Sequence, residues 1–75
     1  MKISARNVLR GKVKSISRGD ISGEVVIEVA AGIDIASIVS LAAIDDLQLE
    51  VGKEAFAVFP ASSTMVAVPH HKRGE

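Results

Sequence analysis

The chain has 75 residues, no net charge and no cysteine, with 48% hydrophobic and 24% charged residues. A single domain of this length buries only about 60% of its unfolded surface, so it is marginal alone. The missing cysteines exclude disulfides and thiolate metal sites, fit a cytoplasmic setting, and leave oligomerisation as the support that so small a unit needs.

The chain opens on a period-two pattern. Ile3, Ala5, Leu9, Gly11 and Val13 share one face, and Arg6, Arg10, Lys12 and Lys14 share the other, which predicts a long first strand. Arg18, Gly19 and Asp20 form a turn. A second strand follows, with Ile21, Gly23, Val25, Ile27 and Val29 alternating against Ser22, Glu24, Val26 and Glu28. Ala31 and Gly32 turn the chain again. Residues 33–40 read as a third strand, apolar on both faces, so both faces are expected to be covered. Residues 41–47 break the alternation: Leu41, Ile44 and Leu47 recur every third residue, which predicts one or two helical turns. Residues 49–53 are a connector with a glycine turn. Residues 55–59 form a fourth strand, Pro60 opens a loop because it cannot donate to a ladder, and residues 64–68 form a fifth strand. Residues 1–69 are thus expected to form one domain, with 70–75 as a flexible polar tail. Five strands and one short helix predict an all-β fold, a small, partly open OB-like barrel.

No run approaches the roughly 18 apolar residues of a membrane span. The N-terminus lacks the apolar core of a signal peptide. Charge is unevenly spread. Residues 1–18 carry Lys2, Arg6, Arg10, Lys12, Lys14 and Arg18 and no acid, whereas residues 19–54 carry eight acids and one base, Lys53. This is either a local anion site or pairing between the two halves.

Several candidate sites resolve to plain structure. The Arg18-Gly19-Asp20 tripeptide reads as a hairpin turn rather than an adhesion motif. His70 and His71 are possible metal ligands, but neighbouring side chains of a tail seldom converge. Asp45 and Asp46, on a short helix, face water or favour the helix start. Both histidines sit in the tail, so no Ser-His-Asp or Cys-His arrangement forms, and binding without turnover is expected. A basic strand on an OB-like barrel is compatible with nucleic acid, but base stacking needs aromatic platforms. There is no Trp or Tyr, and Phe56 and Phe59 face opposite ways on a strand, at least one of them into the core.

What remains is a set of small polar residues at strand ends: Ser4, Ala5, Arg6 and Asn7; Ser37 and Ser40; Ala61, Ser62 and Ser63. Residues of this kind serve turns. They also supply what a tetrahedral oxyanion needs, namely hydroxyls, backbone N–H groups beside a small side chain, and one guanidinium. Chemistry alone leaves these two readings level.

The segments ISARNVLRGKV, GEVVIEVAAG, IASIVSLAAIDDLQLEVGKEAFAV and MVAV resemble the molbindins, small Mop-type molybdate-binding proteins with a TOBE-like domain. The likeness covers about residues 2–68. It implies an OB-like barrel that assembles into a hexamer, a trimer of dimers with exchanged N-terminal strands. It implies non-enzymatic binding of molybdate or tungstate at subunit interfaces, for intracellular molybdenum storage or homeostasis. The family's main site matches Ser4, Ala5 and Arg6 of one subunit, hydroxyls matching Ser37 and Ser40 of another, and a loop matching Ala61 and Ser62. Further anion sites lie near the threefold axes, with Ser22 a candidate. This chain departs at Pro60, where the family normally has Lys, and so loses a charge and an N–H. The alternative is an OB-like assembly or nucleic-acid-binding module whose anion site is weakened or lost.

Overall fold

The structure is a computed structural model and describes residues 6–70. It contains strands β1 (Asn7–Arg18), β2 (Ser22–Ala30), β3 (Ile33–Ser40) and β4 (Glu54–Phe59), with helix α1 (Leu41–Asp46) between β3 and β4. The strands form one antiparallel sheet in the order β3-β2-β1-β4. β1 is the spine. Its first half pairs with β4, from Asn7 opposite Phe59 to Lys12 opposite Glu54. Its second half pairs with β2, from Lys12 opposite Glu28 to Arg18 opposite Gly23. Handing β1 from one partner to the other curls the sheet into the OB-like half-barrel.

The alternation read from the sequence sets the core. Val13, Val25, Ile27 and Ala57 are buried on one face of the sheet, and Ile44 of α1 is buried against them. The helix forms where the alternation stops. Ser40 caps it by accepting the Ala43 N–H at 3.0 Å. At its end Gln48 takes a left-handed conformation (φ 53°). The Gln48 and Leu49 N–H groups then donate to the carbonyls of Asp45 and Ile44, a Schellman closure of the last turn.

β1 is irregular between Val13 and Ser15, where its register against β2 slips past Lys14. A bulge of this kind bends a strand and strengthens its twist. It also moves the next core residue to Ile16, three positions after Val13. The connector fills the gap in the ladder: the Gly52 N–H donates to the Val13 carbonyl at 2.8 Å, and the Val13 N–H donates to the Lys53 carbonyl at 2.9 Å.

Two glycines allow the curl. A Cβ on Gly11 would overlap the Glu28 backbone carbonyl, and one on Gly23 would lie 2.8 Å from Ile44 Cδ1 and 3.0 Å from the Ser17 carbonyl oxygen. Overpacking a fitted site costs about 1–3 kcal/mol. Gly11→Ala should sit at the upper end, because two backbones must part. Gly23→Ala should cost less, because its nearest neighbour is a side-chain tip. Urea midpoints at equal protein concentration would check the ranking, and equal midpoints for Gly11→Ala and wild type would overturn it.

Four expectations need correction. Ile21, placed on the second strand, lies in the preceding turn and is 83% exposed, because β2 starts only at Ser22. Within the chain the third strand is covered on one face only: Ile35 and Val39 pack on the core, whereas nothing among the described residues lies over the opposite face, where Ile38 is 68% exposed. Phe56 is exposed and Phe59 half-buried, so neither joins the fully buried core, although they do face opposite ways. Residues 64–68 form no strand. A strand needs an edge to pair with, and this segment leaves β4 through a turn without folding back, so Met65, Val66 and Val68 stay exposed.

The single chain is elongated as a result. Its radius of gyration is 15.2 Å, against about 11 Å for a compact domain of this length. Among the described residues no helix is long and apolar enough to cross a membrane.

Candidate functional site

The pairing of β1 with β4 decides which candidate residues meet. Asn7 is opposite Phe59, so Arg6 just before it and Pro60 just after its partner emerge at the same end of the sheet. Pro60 (φ −72°, ψ 154°) leads into a single tight turn, Ala61–Ser63. The Ser63 N–H donates to the Pro60 carbonyl at 3.0 Å, and the Thr64 N–H donates to the Ala61 carbonyl at 3.2 Å. The N–H groups of Ala61 and Ser62 have no acceptor among the described residues. Arg6, Ala61 and Ser62 are all exposed. This end of the sheet therefore presents a guanidinium, two free backbone donors and a hydroxyl. Ser4 and Ala5 lie outside the described residues.

Ser37 and Ser40 are elsewhere. They sit on β3, the far edge of the sheet, with Ser37 opposite Val25 and Ser40 opposite Ser22. Being three apart, they leave the strand on opposite faces, so they converge on one ligand only across the open edge of β3. Capping uses one lone pair of the Ser40 hydroxyl and leaves its proton free to donate. Ser22, the weak candidate, is the direct cross-strand neighbour of Ser40.

Ser37 and Ser40 lie level with Ile16 and the Arg18 end of β1, because Val25 pairs with Ile16 and Gly23 with Arg18. Arg6 precedes the other end. At about 3.3 Å per residue the separation is on the order of 30–40 Å. One chain thus carries Arg6, Ala61 and Ser62 at one end and Ser37 and Ser40 at the other, and these do not meet within it.

The charge asymmetry of the sequence resolves mostly into ion pairs. Arg10 meets Glu54 at 2.9 Å, Lys14 meets Asp34 at 2.8 Å, and Arg18 meets Asp45 at 2.6 Å. The hydrogen bond from Lys14 to Asp34, backed by the carboxylate's charge, raises the Lys14 pKa above the usual lysine value, so Lys14 stays charged and committed. Lys53 holds Glu50 at 2.9 Å and draws the Glu50 carboxyl below its usual range through the hydrogen bond between them. Exposed pairs of this kind add little to stability, because water and salt screen them. Their larger consequence is to leave β1 without a row of free cations for a nucleic-acid backbone. Arg18 is tied to α1, which also supports the plain turn at Arg18-Gly19-Asp20, where the Gly19 N–H donates to the Ser22 carbonyl. Asp45 and Asp46 close α1 rather than favour its start, and Asp45 points to Arg18 rather than to water alone. Among the described residues Arg6 has no acid partner, and no cluster of metal-ligating side chains forms.

The sequence reading listed Asn7 among the small polar residues without giving it a role, and placed Thr64 only in the fifth strand. The Asn7 side chain donates from Nδ2 to Thr64 Oγ1 at 3.0 Å. A signal was available: in the alternation Asn7 is the one polar residue on the apolar side of β1 between Ala5 and Leu9.

A curled four-stranded sheet with exposed oxyanion-type donors at its two ends defines a small β-sheet binding module. Residues 3–66 match the TOBE domain family, and the chain belongs to it. It is 54% identical over 68 residues to a "probable molybdenum-pterin-binding protein" of Haemophilus influenzae, covering 91% of this chain and 99% of that one. The fold is similar to MopII from Clostridium pasteurianum, with a TM-score of 0.83 and 40% identity over 89% of this chain and all of that one. It is also similar to the cytoplasmic molybdate-binding protein ModG in a molybdate-bound crystal form. There the TM-score is 0.86 and the identity 39%, over 92% of this chain and 49% of ModG.

Proposed function

We propose that this protein binds molybdate or tungstate, without turnover, at sites shared between subunits. Arg6, Ala61 and Ser62 of one subunit face Ser37 and Ser40 of another, and Ser4 and Ala5, which precede Arg6 in sequence, belong to the first half of the set. The observation that carries this reading is the split donor set: one chain presents complementary halves on the order of 30–40 Å apart, so the set closes only on association. Relatives whose names specify molybdenum-pterin or molybdate binding support the ligand. The donors suit a dianion. They comprise one guanidinium, N–H groups and hydroxyls, and the set includes no general base, which favours binding over catalysis.

Assembly follows the same logic. Among the described residues the buried core is Val13, Val25, Ile27, Ile44 and Ala57, whereas Ile38, Met65, Val66 and Val68 are exposed. A chain with so small a core gains its stability by covering such side chains on neighbours. We read the assembly as a hexamer, a trimer of dimers, acting in the cytoplasm in molybdenum storage or homeostasis.

Equilibrium dialysis against molybdate, with sulfate as competitor, tests the ligand, and light scattering tests the assembly. The expected results are saturable uptake at tens of micromolar anion (roughly −6 to −7 kcal/mol of binding) and a mass near six chains. No uptake would remove the oxyanion reading. A monomer at all concentrations would remove the shared site.

A further inference from the structure

Asn7 follows Arg6 and stands opposite Phe59 at the start of β1. Its side chain crosses to the far end of the following turn, where Nδ2 donates to Thr64 Oγ1 at 3.0 Å, a contact between residues 57 apart in sequence. Thr64 in turn donates its single hydroxyl proton to the Pro60 carbonyl at 3.3 Å. The Asn7 atom that faces Thr64 must therefore be a donor, which fixes the amide orientation. Together with the Ser63 and Thr64 N–H bonds to Pro60 and Ala61, this relay closes the turn at both ends and anchors it to the strand that carries Arg6.

We propose that Asn7 is a positioning residue for the oxyanion site: through Thr64 it sets the Ala61–Ser62 donors in place relative to Arg6 before any ligand arrives. The proposal rests on the oxyanion reading above. Asn7 itself touches no ligand. Its effect is to spare the ordering cost that an exposed turn would otherwise incur on binding. An aspartate at this position would fail twice. It would aim an acceptor at a hydroxyl whose proton is already committed to Pro60, and it would place a negative charge beside Arg6.

The test is a molybdate titration of the assembled protein as wild type, Asn7→Ala, Thr64→Val, Thr64→Ser and the Asn7→Ala/Thr64→Val double variant. Losing the relay should weaken binding about two- to tenfold in each of Asn7→Ala and Thr64→Val. The double variant should be no weaker than either single one, because both break the same link. Thr64→Ser keeps the hydroxyl and should match wild type. Without anion, amide hydrogen exchange at Ser63 and Thr64 should quicken in Asn7→Ala, while the pairing of β1 with β2 stays protected. Unchanged affinity in Asn7→Ala, additive losses in the double variant, or a Thr64→Ser as weak as Thr64→Val would each overturn the positioning role. If wild type itself takes up no molybdate, the oxyanion reading and this role fall together. If wild type binds and Asn7→Ala binds equally, only the role falls.

Discussion

Arg6→Ala should abolish molybdate uptake at tens of micromolar anion while leaving the mass of the assembly unchanged. Arg6 is exposed at the sheet end and has no acid partner among the described residues. Among the described residues its guanidinium is the cation at the sheet end that carries Ala61 and Ser62. Each hydrogen bond to a charged group is worth about 1.5–3 kcal/mol. A bidentate contact therefore loses about 3–6 kcal/mol, or at least a hundredfold in affinity. Arg6→Lys keeps the charge but loses the fork, so it should fall between wild type and Arg6→Ala. The assembly should survive because the buried core lies along β1, β2, β4 and α1 and does not include Arg6. Arg10→Ala is the matched control, since Arg10 is already held by Glu54 at 2.9 Å. Equal losses in Arg6→Ala and Arg10→Ala would point to a diffuse charge effect and count against a discrete site. A dissociated Arg6→Ala would mean that Arg6 holds the interface instead.

The fold was legible wherever one physical signal dominated. Period-two alternation placed β1, β2 and β3, and its loss at Leu41 placed α1, because a half-buried strand and a short capped helix leave distinct patterns. The excess of bases in the first strand matched the acids downstream, and the ion pairs of Arg10, Lys14 and Arg18 show that match in space. What failed depends on partners that a sequence does not display. Residues 64–68 are apolar enough for a strand, yet whether they pair is set by which edge is free. Both faces of the third strand were expected to be covered because it is apolar on each, but nothing in the alternation tells which face the same chain covers, and Ile38 lies on the other. Of the candidate site, the resemblance implied both the residues and their assignment to different subunits. The place of Arg6 at one end of the sheet and of Ser37 and Ser40 at the other follows from the registers of β1 with β4 and of β2 with β3, which the sequence does not display. Asn7 shows the same limit. Its polarity on the apolar side was visible, but the Thr64 partner emerges only once β4 has brought the turn alongside.

Pro60→Lys should tighten molybdate binding by roughly tenfold or more, the worth of about one added charge-assisted hydrogen bond. The resemblance to the molbindins implies Lys where this chain has Pro60, and the local backbone accepts the change. Pro60 holds φ −72° and ψ 154°, an extended conformation open to any L residue. Its carbonyl, which accepts from Ser63 and Thr64, is unaffected by the side chain. Lysine would add an ammonium beside Ala61 and Ser62 and an N–H that proline lacks. Removing proline frees the unfolded chain and should lower stability by only about 0.4–1 kcal/mol. The gain should survive moderate salt, because a pair enclosed between subunits is screened less than a surface pair. The rival outcome is that another base already supplies the second charge, so that Pro60→Lys changes little. Lys53 of the same chain is a poor candidate, since it bonds Glu50 and the Gln48 carbonyl and its backbone is fixed to Val13, far from the Arg6 end. Lys72 and Arg73 lie outside the described residues, and truncation after Val68 tests them directly. Weaker binding by the truncated chain, with no gain from Pro60→Lys, would place the second charge in the tail. Tighter binding by Pro60→Lys, with no loss on truncation, would mean that the wild-type site works with Arg6 as its single cation. Equal binding by all three forms would move the uptake away from this turn, toward the sites expected near the threefold axes, where Ser22 is the candidate.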